Sequence, residues 1–288
     1  MKFEIMKALE TEFSLVRMAR WFGVSRAGYY AHFKPKPESL RAKDDIRLSE
    51  SISTIHKNSR CTYGVDRVDQ ELRKLDIKCH VRRISRLMKL LGVQGKMCVA
   101  KVRTTVSSHG LPVSPNLLER NFRASEPNQV WVSDITYIAT REGWLYLCTI
   151  MDLFSRKIVG WSMSSTMESS FVVRALRMAI ERRNPIPDEL IFHSDRGVQY
   201  ASAEFRTELQ LHRITQSMSR KGDCLDNACA ESFFGTLKSE LPAQIFWNRA
   251  EAQREIFDYI EGFYNPKRSH SYLGYISPDQ FELLGKAA

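Results

Sequence analysis

Long apolar runs are missing from this 288-residue chain. Nothing in it approaches the ~18 consecutive apolar residues of a membrane-spanning helix, so helical channels and transporters are excluded. Paired cysteines are missing as well. The six cysteines are scattered, with no CxxC. Cys224 and Cys229 find no second Cys or His pair that would complete a zinc set. Reduced thiols are expected rather than a disulfide framework. Acid is scarce at one end: residues 1–120 hold 24 Lys and Arg against 12 Asp and Glu, whereas residues 121–288 hold 19 against 21. With a net charge of +10, a basic amino-terminal half is the footprint of a nucleic-acid binder, with a merely solvated basic surface as the alternative. Met1-Lys2-Phe3-Glu4 runs into mixed charge, so no signal peptide is expected and the place of work is where DNA is, in the cytoplasm.

What the chain does have is three acids on separate elements. Trp131-Val132-Ser133-Asp134-Ile135-Thr136-Tyr137-Ile138 alternates like a β-strand and carries Asp134 near its middle. Leu190-Ile191-Phe192-His193-Ser194-Asp195 is an apolar run ending in a carboxylate. From Ala228 the pattern turns helical: Ala230, Phe233, Phe234, Leu237 and Leu241 make a stripe that must face a core. Asn227, Glu231, Gly235 and Lys238 flank that stripe, so Glu231 can reach a sheet. Asp226 is better explained as an N-cap. Three carboxylates so placed suit hard divalent cations, which take few carboxylates and leave room for phosphate oxygens. Two such ions ~3.5–4 Å apart can serve the attacking and leaving oxygens of a phosphoryl transfer.

Along the chain, Leu15, Met18, Ala19 and Phe22 sit at helical spacing, Gly23-Val24 turns, and Ser25 can cap a second helix over 26–33. That outlines a helix-turn-helix or an ordinary helical hairpin. Lys34-Pro35-Lys36-Pro37 breaks the pattern. A second helical unit runs from about Asp44 to Leu91. In its last helix Val81, Ile84, Leu87, Met88 and Leu91 predict a buried stripe. Arg82, Arg86 and Lys89 form a row on another face, with Arg83 beside them, suited to DNA contact or to solvation alone. Leu90-Leu91-Gly92-Val93 echoes Trp21-Phe22-Gly23-Val24. The expected segments are 1–36 (helix-turn-helix), 37–94 (second helical DNA-binding domain), 95–123 (basic linker tracking the DNA backbone), 124–245 (catalytic core) and 246–288 (C-terminal helical segment). Within the core, the expected order βββαβαβα is mixed α/β.

The blocks around Trp131–Tyr137, His193–Tyr200 and Asp226–Glu231, with Lys238 seven positions after the Glu, resemble the DDE transposases of bacterial insertion sequences. The nearest likeness is to the OrfB product of elements split between two reading frames, OrfA and OrfB. The resemblance extends over nearly the whole chain, including Tyr264-Asn265-Pro266-Lys267-Arg268-Ser269-His270. It implies a ribonuclease-H-like, integrase-type core preceded by an all-α DNA-binding region, with Asp134, Asp195 and Glu231 as catalytic and metal-binding residues. It further implies two Mg²⁺ or Mn²⁺ ions, element ends and target DNA as partners, a homo-oligomer on DNA, and an OrfA partner or fusion. The reaction it implies is water attack at an element end, then attack by the freed 3′-hydroxyl, first near the other end to give a circle and later in target DNA. In the family pattern Asp152 marks a turn. His193 reads as structural, with phosphate contact as the alternative, and Lys238 as a phosphate contact, with a solvated Lys stemmed over Phe234 as its alternative. A nuclease of the same fold and a DNA-binding regulator with an inactive core are the competing functions.

Overall fold

The computed structural model describes residues 1–34, 39–96, 111–220 and 224–285. Pro35 to Pro37, residues 97–110 of the expected basic linker and Asp223 lie outside the described residues. The chain divides into two compact units, Met1–Ser51 and Ile52–Ala288.

In the first unit α1 (Lys2–Ala8), α2 (Leu15–Phe22) and α3 (Arg26–Phe33) surround Met6, Met18, Ala19 and Tyr29. Gly23 ends α2 in the left-handed region at φ 63°, which lets the Val24 N–H reach the Ala19 carbonyl at 3.0 Å. The Ser25 hydroxyl then accepts from Gly28 N at 3.0 Å and starts α3. α4 (Leu40–Asn58) runs from this unit into the second.

The second unit begins with the end of α4, then α5 (Val65–Lys74) and α6 (Val81–Leu90). Asp76 turns left-handed after α5, at φ 59°, while Ile77 N–H bonds back to Leu72. α6 buries only Ile84, Leu87 and Met88; Val81 and Leu91, expected in the stripe, are 41% and 38% exposed. They stand at and just beyond the ends of a ten-residue helix, where a packed neighbour covers least. Gly92 stops α6 as Gly23 stops α2, with φ 66° and Val93 N–H on Met88 O at 3.0 Å. The sequence echo is therefore a shared helix stop rather than a repeat.

The sheet follows: β1 (Val130–Thr140), β2 (Gly143–Asp152), β3 (Ile158–Ser164), α7 (Ser169–Arg183), β4 (Ile191–Ser194), α8 (Val198–Ala201), α9 (Ala203–Leu211), β5 (Thr215–Met218), α10 (Ala228–Glu240), β6 (Ile245–Phe246), α11 (Arg249–Phe257) and α12 (Pro278–Gly285). The strand order is β3-β2-β1-β4-β5, with β6 also pairing β1. β1, β2 and β3 form an antiparallel meander, whereas β4, β5 and β6 join in parallel. This is the mixed, helix-flanked sheet of a ribonuclease-H-like core. One face is closed by α7 and α9 over Trp131, Cys148, Ile150, Val159 and Phe192. α7 lies close because β3 has a glycine beneath it: a Cβ on Gly160 would stand 2.3 Å from the Ala175 carbonyl and 2.7 Å from the Ala179 Cβ.

The other face is closed by α10, α11 and a π-helix over Asp258–Tyr264 that prolongs α11. The π-turn leads into the Tyr264–His270 motif, of which Tyr264, Asn265 and Arg268 are all engaged. Tyr264 Oη donates to Arg156 O at 3.1 Å. Asn265 copies a strand, its amide both donating to and accepting from the Ile158 backbone, at 3.0 and 2.9 Å. Arg268 grips Glu240, at the end of α10, through two bonds of 2.8 and 2.7 Å, both residues being 4% or less exposed. Tyr259 Oη donates to the same carboxylate at 2.9 Å. From the α5–α6 side, Arg67 comes within 3.9 Å of Glu240, and Lys96 Nζ donates to the Glu240 and Leu241 carbonyls at 3.4 and 3.2 Å. Arg60 pairs with Glu255 at 3.1 Å.

Replacing Gly160 with Ala forces β3 and α7 apart. We expect a loss of about 1–3 kcal/mol of stability, read from the midpoint of urea unfolding. An unchanged midpoint would show that the close approach is not needed.

Candidate active site

Register brings the two aspartates together. β1 and β4 pair in parallel as Val130↔Ile191 through Ser133↔Ser194, so the next residues on the two chains are Asp134 and Asp195. Each carboxylate then accepts from a nearby backbone amide: Ile135 N donates to Asp134 Oδ1 at 2.8 Å, and Gly197 N to Asp195 Oδ1 at 2.9 Å. β4 ends here, so β1 beyond Ser133 is left without that neighbour until β6 joins at Ala139.

Glu231 is supplied by the first turn of α10. The helix is pinned beside Asp134 by Asn227, whose side-chain amide donates to the Ser133 carbonyl at 3.0 Å. Asn227, not Asp226, precedes the helix, and neither caps it with a side chain. Asp226 is instead a hub. Its carboxylate accepts from Asn116 Nδ2 at 3.0 Å, Arg120 Nε at 3.1 Å, and Arg220 N and Nε at 2.9 and 3.2 Å. The cap expectation failed because Asn116 and Arg120, distant in sequence, together with Arg220, six residues back, outcompete the helix amides. Burial acts to raise the Asp226 pKa, but the Arg220 and Arg120 bonds bring it down to about 2.

The electrostatics mark the acids as one cluster. Asp134 is half-buried by surface, yet the surrounding protein desolvates it thoroughly. That burial, then the negative charges of Asp195 and Glu231, hold its carboxyl well above the usual range. Such a charge cluster fits a divalent cation, since oxygen donors of like charge converge where only a cation relieves them. Among the described residues, no three Asp, Glu, His or Cys side chains enclose a ready-made metal cage. Mg²⁺, which keeps several waters and takes one or two carboxylates, needs no such cage.

Lys238 lies two turns along α10, half-buried, with its amine 4.6 Å over the Tyr137 ring. Burial lowers its pKa while Asp134 raises it, so the Lys lies in the field of Asp134. His193 and Asp152 are structural. His193 is buried against Ser217 Oγ, Ser219 Oγ and the Asp226 carbonyl at 2.8, 3.1 and 3.0 Å. Asp152 accepts from Asn128 N, Phe154 N and Arg183 Nη2 at 2.9, 3.0 and 3.0 Å. Arg82, Arg86 and Lys89 are exposed on α6, and Arg83 is half-buried, on a helix other than the elements that carry the acids. Asn227 and Tyr137 were given no role by sequence reasoning. Their only signal was adjacency, one before the helix that carries Glu231 and one three residues beyond Asp134.

Residues 124–224 and 231–283 match the two parts of the family described as Integrase core domain, and residues 43–101 match an HTH-like domain. The transposase InsF for insertion sequence IS3A of Escherichia coli (strain K12) is 40% identical over 284 residues, 98% of each chain. The chain belongs to the IS3-type family of insertion-sequence transposases. A second relative, the insertion element IS600 uncharacterized 31 kDa protein of Shigella sonnei, is 46% identical over 92% of this chain and 97% of its own. The HTLV-2 integrase catalytic core domain in complex with magnesium is similar over 56% of this chain and 99% of its own, at 17% identity and a TM-score of 0.42. The match to the HTH-like domain falls on α4 to α6, whereas the α2–α3 hairpin lies outside it. Among the described residues, no helix is long and apolar enough to cross a membrane.

The Asp226 hub has a pH signature. A carboxyl depressed from 3.8 to about 2 contributes stability that is complete above the unfolded pKa and is lost as pH falls through the folded one. Asp226→Asn should therefore cost about 2 kcal/mol at neutral pH. The gap to the parent should close as pH drops from 4 towards 2 in denaturant titrations. A gap that stays constant with pH would sink the ion-pair account.

Proposed function

We propose that this transposase-family chain cuts element ends and joins the 3′-hydroxyl to DNA at a site made by Asp134, Asp195 and Glu231. The observation that carries this reading is the parallel β1–β4 register, which sets two aspartates side by side where α10 delivers a glutamate. The three carboxylates would hold Mg²⁺ or Mn²⁺, two ions per site. The metal, when bound, supplies positive charge against the phosphate and eases attack by an oxygen nucleophile.

The chain's own residues do the rest. Asn227 fixes the first turn of α10 to β1, and so fixes Glu231 relative to Asp134. Lys238 presents a cation on the same helix flank for a phosphate next to the scissile bond. In the first step water adds to phosphorus and the 3′-oxygen leaves, taking a proton to become a hydroxyl. In the second, that hydroxyl loses its proton as its oxygen attacks another phosphodiester, and one P–O bond replaces another. No protein nucleophile is needed, and no covalent protein–DNA intermediate forms. The exposed row Arg82, Arg86 and Lys89, with Arg83 beside it, contacts DNA phosphates from the HTH-like domain. The protein works as a homo-oligomer on DNA, in the bacterial cytoplasm on the nucleoid, with an OrfA-type partner or fusion. The segment boundaries 1–36, 37–94, 95–123, 124–245 and 246–288 are proposed as its functional divisions.

Asp134→Asn, Asp195→Asn and Glu231→Gln should each bring cleavage and joining of inverted-repeat DNA with Mg²⁺ to background, while DNA binding stays within a few-fold of the parent. Near-parental joining by any one of them would remove that residue from the site. Nicked products with no joined ones from the parent protein would favour a nuclease instead. Replacing Arg82, Arg86 and Lys89 together with Ala should flatten the slope of log affinity against log salt by up to ~3 × 0.9 units. An unchanged slope would mean that this face of α6 is only solvated.

A further inference from the structure

The open stretch of β1 beyond Asp134 leads to a strip of aromatic and cationic side chains, of which the phosphoryl-transfer reading uses only the first, Lys238. It starts at Lys238, whose amine covers Tyr137 at 4.6 Å. The Tyr137 ring meets Trp144 edge to face, with centroids 4.6 Å apart. Trp144 lies across from Ala139 at the end of the β1–β2 hairpin, ~16 Å along the strand from Asp134 at ~3.3 Å per residue. Its indole is 49% exposed. Around the hairpin turn, Arg141 stacks its guanidinium 3.5 Å over Trp247, whose side chain is 66% exposed. The Arg141 N–H donates to Phe246 O at 2.9 Å, so β6 holds Trp247 next to the turn. Arg249 completes the strip by donating from Nε to the Trp144 carbonyl at 3.2 Å.

Two exposed tryptophans gathered at one hairpin end make an apolar patch of the kind that marks an interaction site. Here they alternate with cations, Lys238, Arg141 and Arg249. That alternation fits a single DNA strand, with phosphates met by the charges and base faces met by the rings. A duplex hides its base faces in the stack and offers these rings nothing. We propose that Lys238, Tyr137 and Trp144, continued by Arg141 and Trp247, form a track that binds DNA with unpaired bases as it leaves the active site. The proposal rests on the reading of Asp134, Asp195 and Glu231 as the reacting centre. It adds that the protein holds the strand next to the reacting phosphate in an unstacked form. Frayed ends and splayed target junctions are then the preferred substrates over intact duplex.

The test is equilibrium binding of the full chain, in EDTA, to a blunt DNA duplex and to the same duplex with a short single-stranded extension containing 2-aminopurine. The extension should tighten binding, and its fluorescence should be quenched by stacking. Trp144→Ala and Trp247→Ala should each remove about 10-fold of that gain, with blunt-duplex affinity unchanged. Trp144→Phe should keep most of it. The proposal is overturned if the extension brings no gain in the parent, if the Ala variants weaken both DNAs equally, or if they shift the oligomeric mass instead, which would make the strip a contact between copies. Unfolding midpoints within a degree or two of the parent establish that the variants are folded. Because metal is absent, failure of the phosphoryl-transfer reading appears in the joining assay and not in this one.

Discussion

The pairing of β1 with β4 is the constraint on which the rest of the molecule depends. A parallel pair needs a long crossover, and the chain spends β2, β3 and α7 on making it. The return is a fixed register at the point where β4 ends beside the middle of β1, where backbone carbonyls and side chains stop being covered by a neighbour. Open α/β sheets place reactive groups at such strand ends for this reason. Asp134 and Asp195 are adjacent because Ser133 and Ser194 pair, and a slip of one residue would send one carboxylate to the opposite face. The packing that secures the register is the α7 face: Trp131 and Phe192, neighbours in that pairing, are both fully buried beneath it.

Against this sheet α10 is held at both ends. Asn227 ties its start to the Ser133 carbonyl, and Glu240 at its end is enclosed by Arg268, Tyr259 and Arg67. A helix anchored at two points and packed through Phe233, Phe234 and Leu237 in between has little freedom to slide. Carboxylates that repel one another need such a scaffold, since their own interaction drives them apart. The desolvation of Asp134 belongs to the same arrangement, with charge concentrated where water is thin.

Much of this could be read from the residues. Alternation in Trp131–Ile138 and the apolar run up to Asp195 gave strands at their observed places, and Ser169–Arg183 and Thr215–Met218 match their observed elements. The stripe Ala230, Phe233, Phe234, Leu237 and Leu241 is buried as its spacing required. What failed has a common physical origin. Asp226 reads as the cap of the nearest helix start, whereas Asn116 and Arg120 reach it through tertiary structure and join the nearby Arg220. The π-helix Asp258–Tyr264 and the two-residue β6 leave no periodic signal, because one has a different turn and the other is too short. The Tyr264–His270 motif was legible as a motif but not as a set of contacts. Its Asn265 imitates a strand partner with a side chain, and no hydrophobic pattern encodes that.

The enclosure of Glu240 bears on how such proteins are rebuilt. Arg67 and Lys96 lie within the stretch that matches the HTH-like domain, while Glu240 and Arg268 lie in the second integrase-core segment. The HTH-like part is therefore not a module that can be exchanged by cutting the chain between family segments. A chimera that takes residues 43–101 from a relative inherits its counterparts of Arg67 and Lys96 against a foreign Glu240. Retargeting by domain exchange must carry the whole shell, Tyr259 included, across the junction.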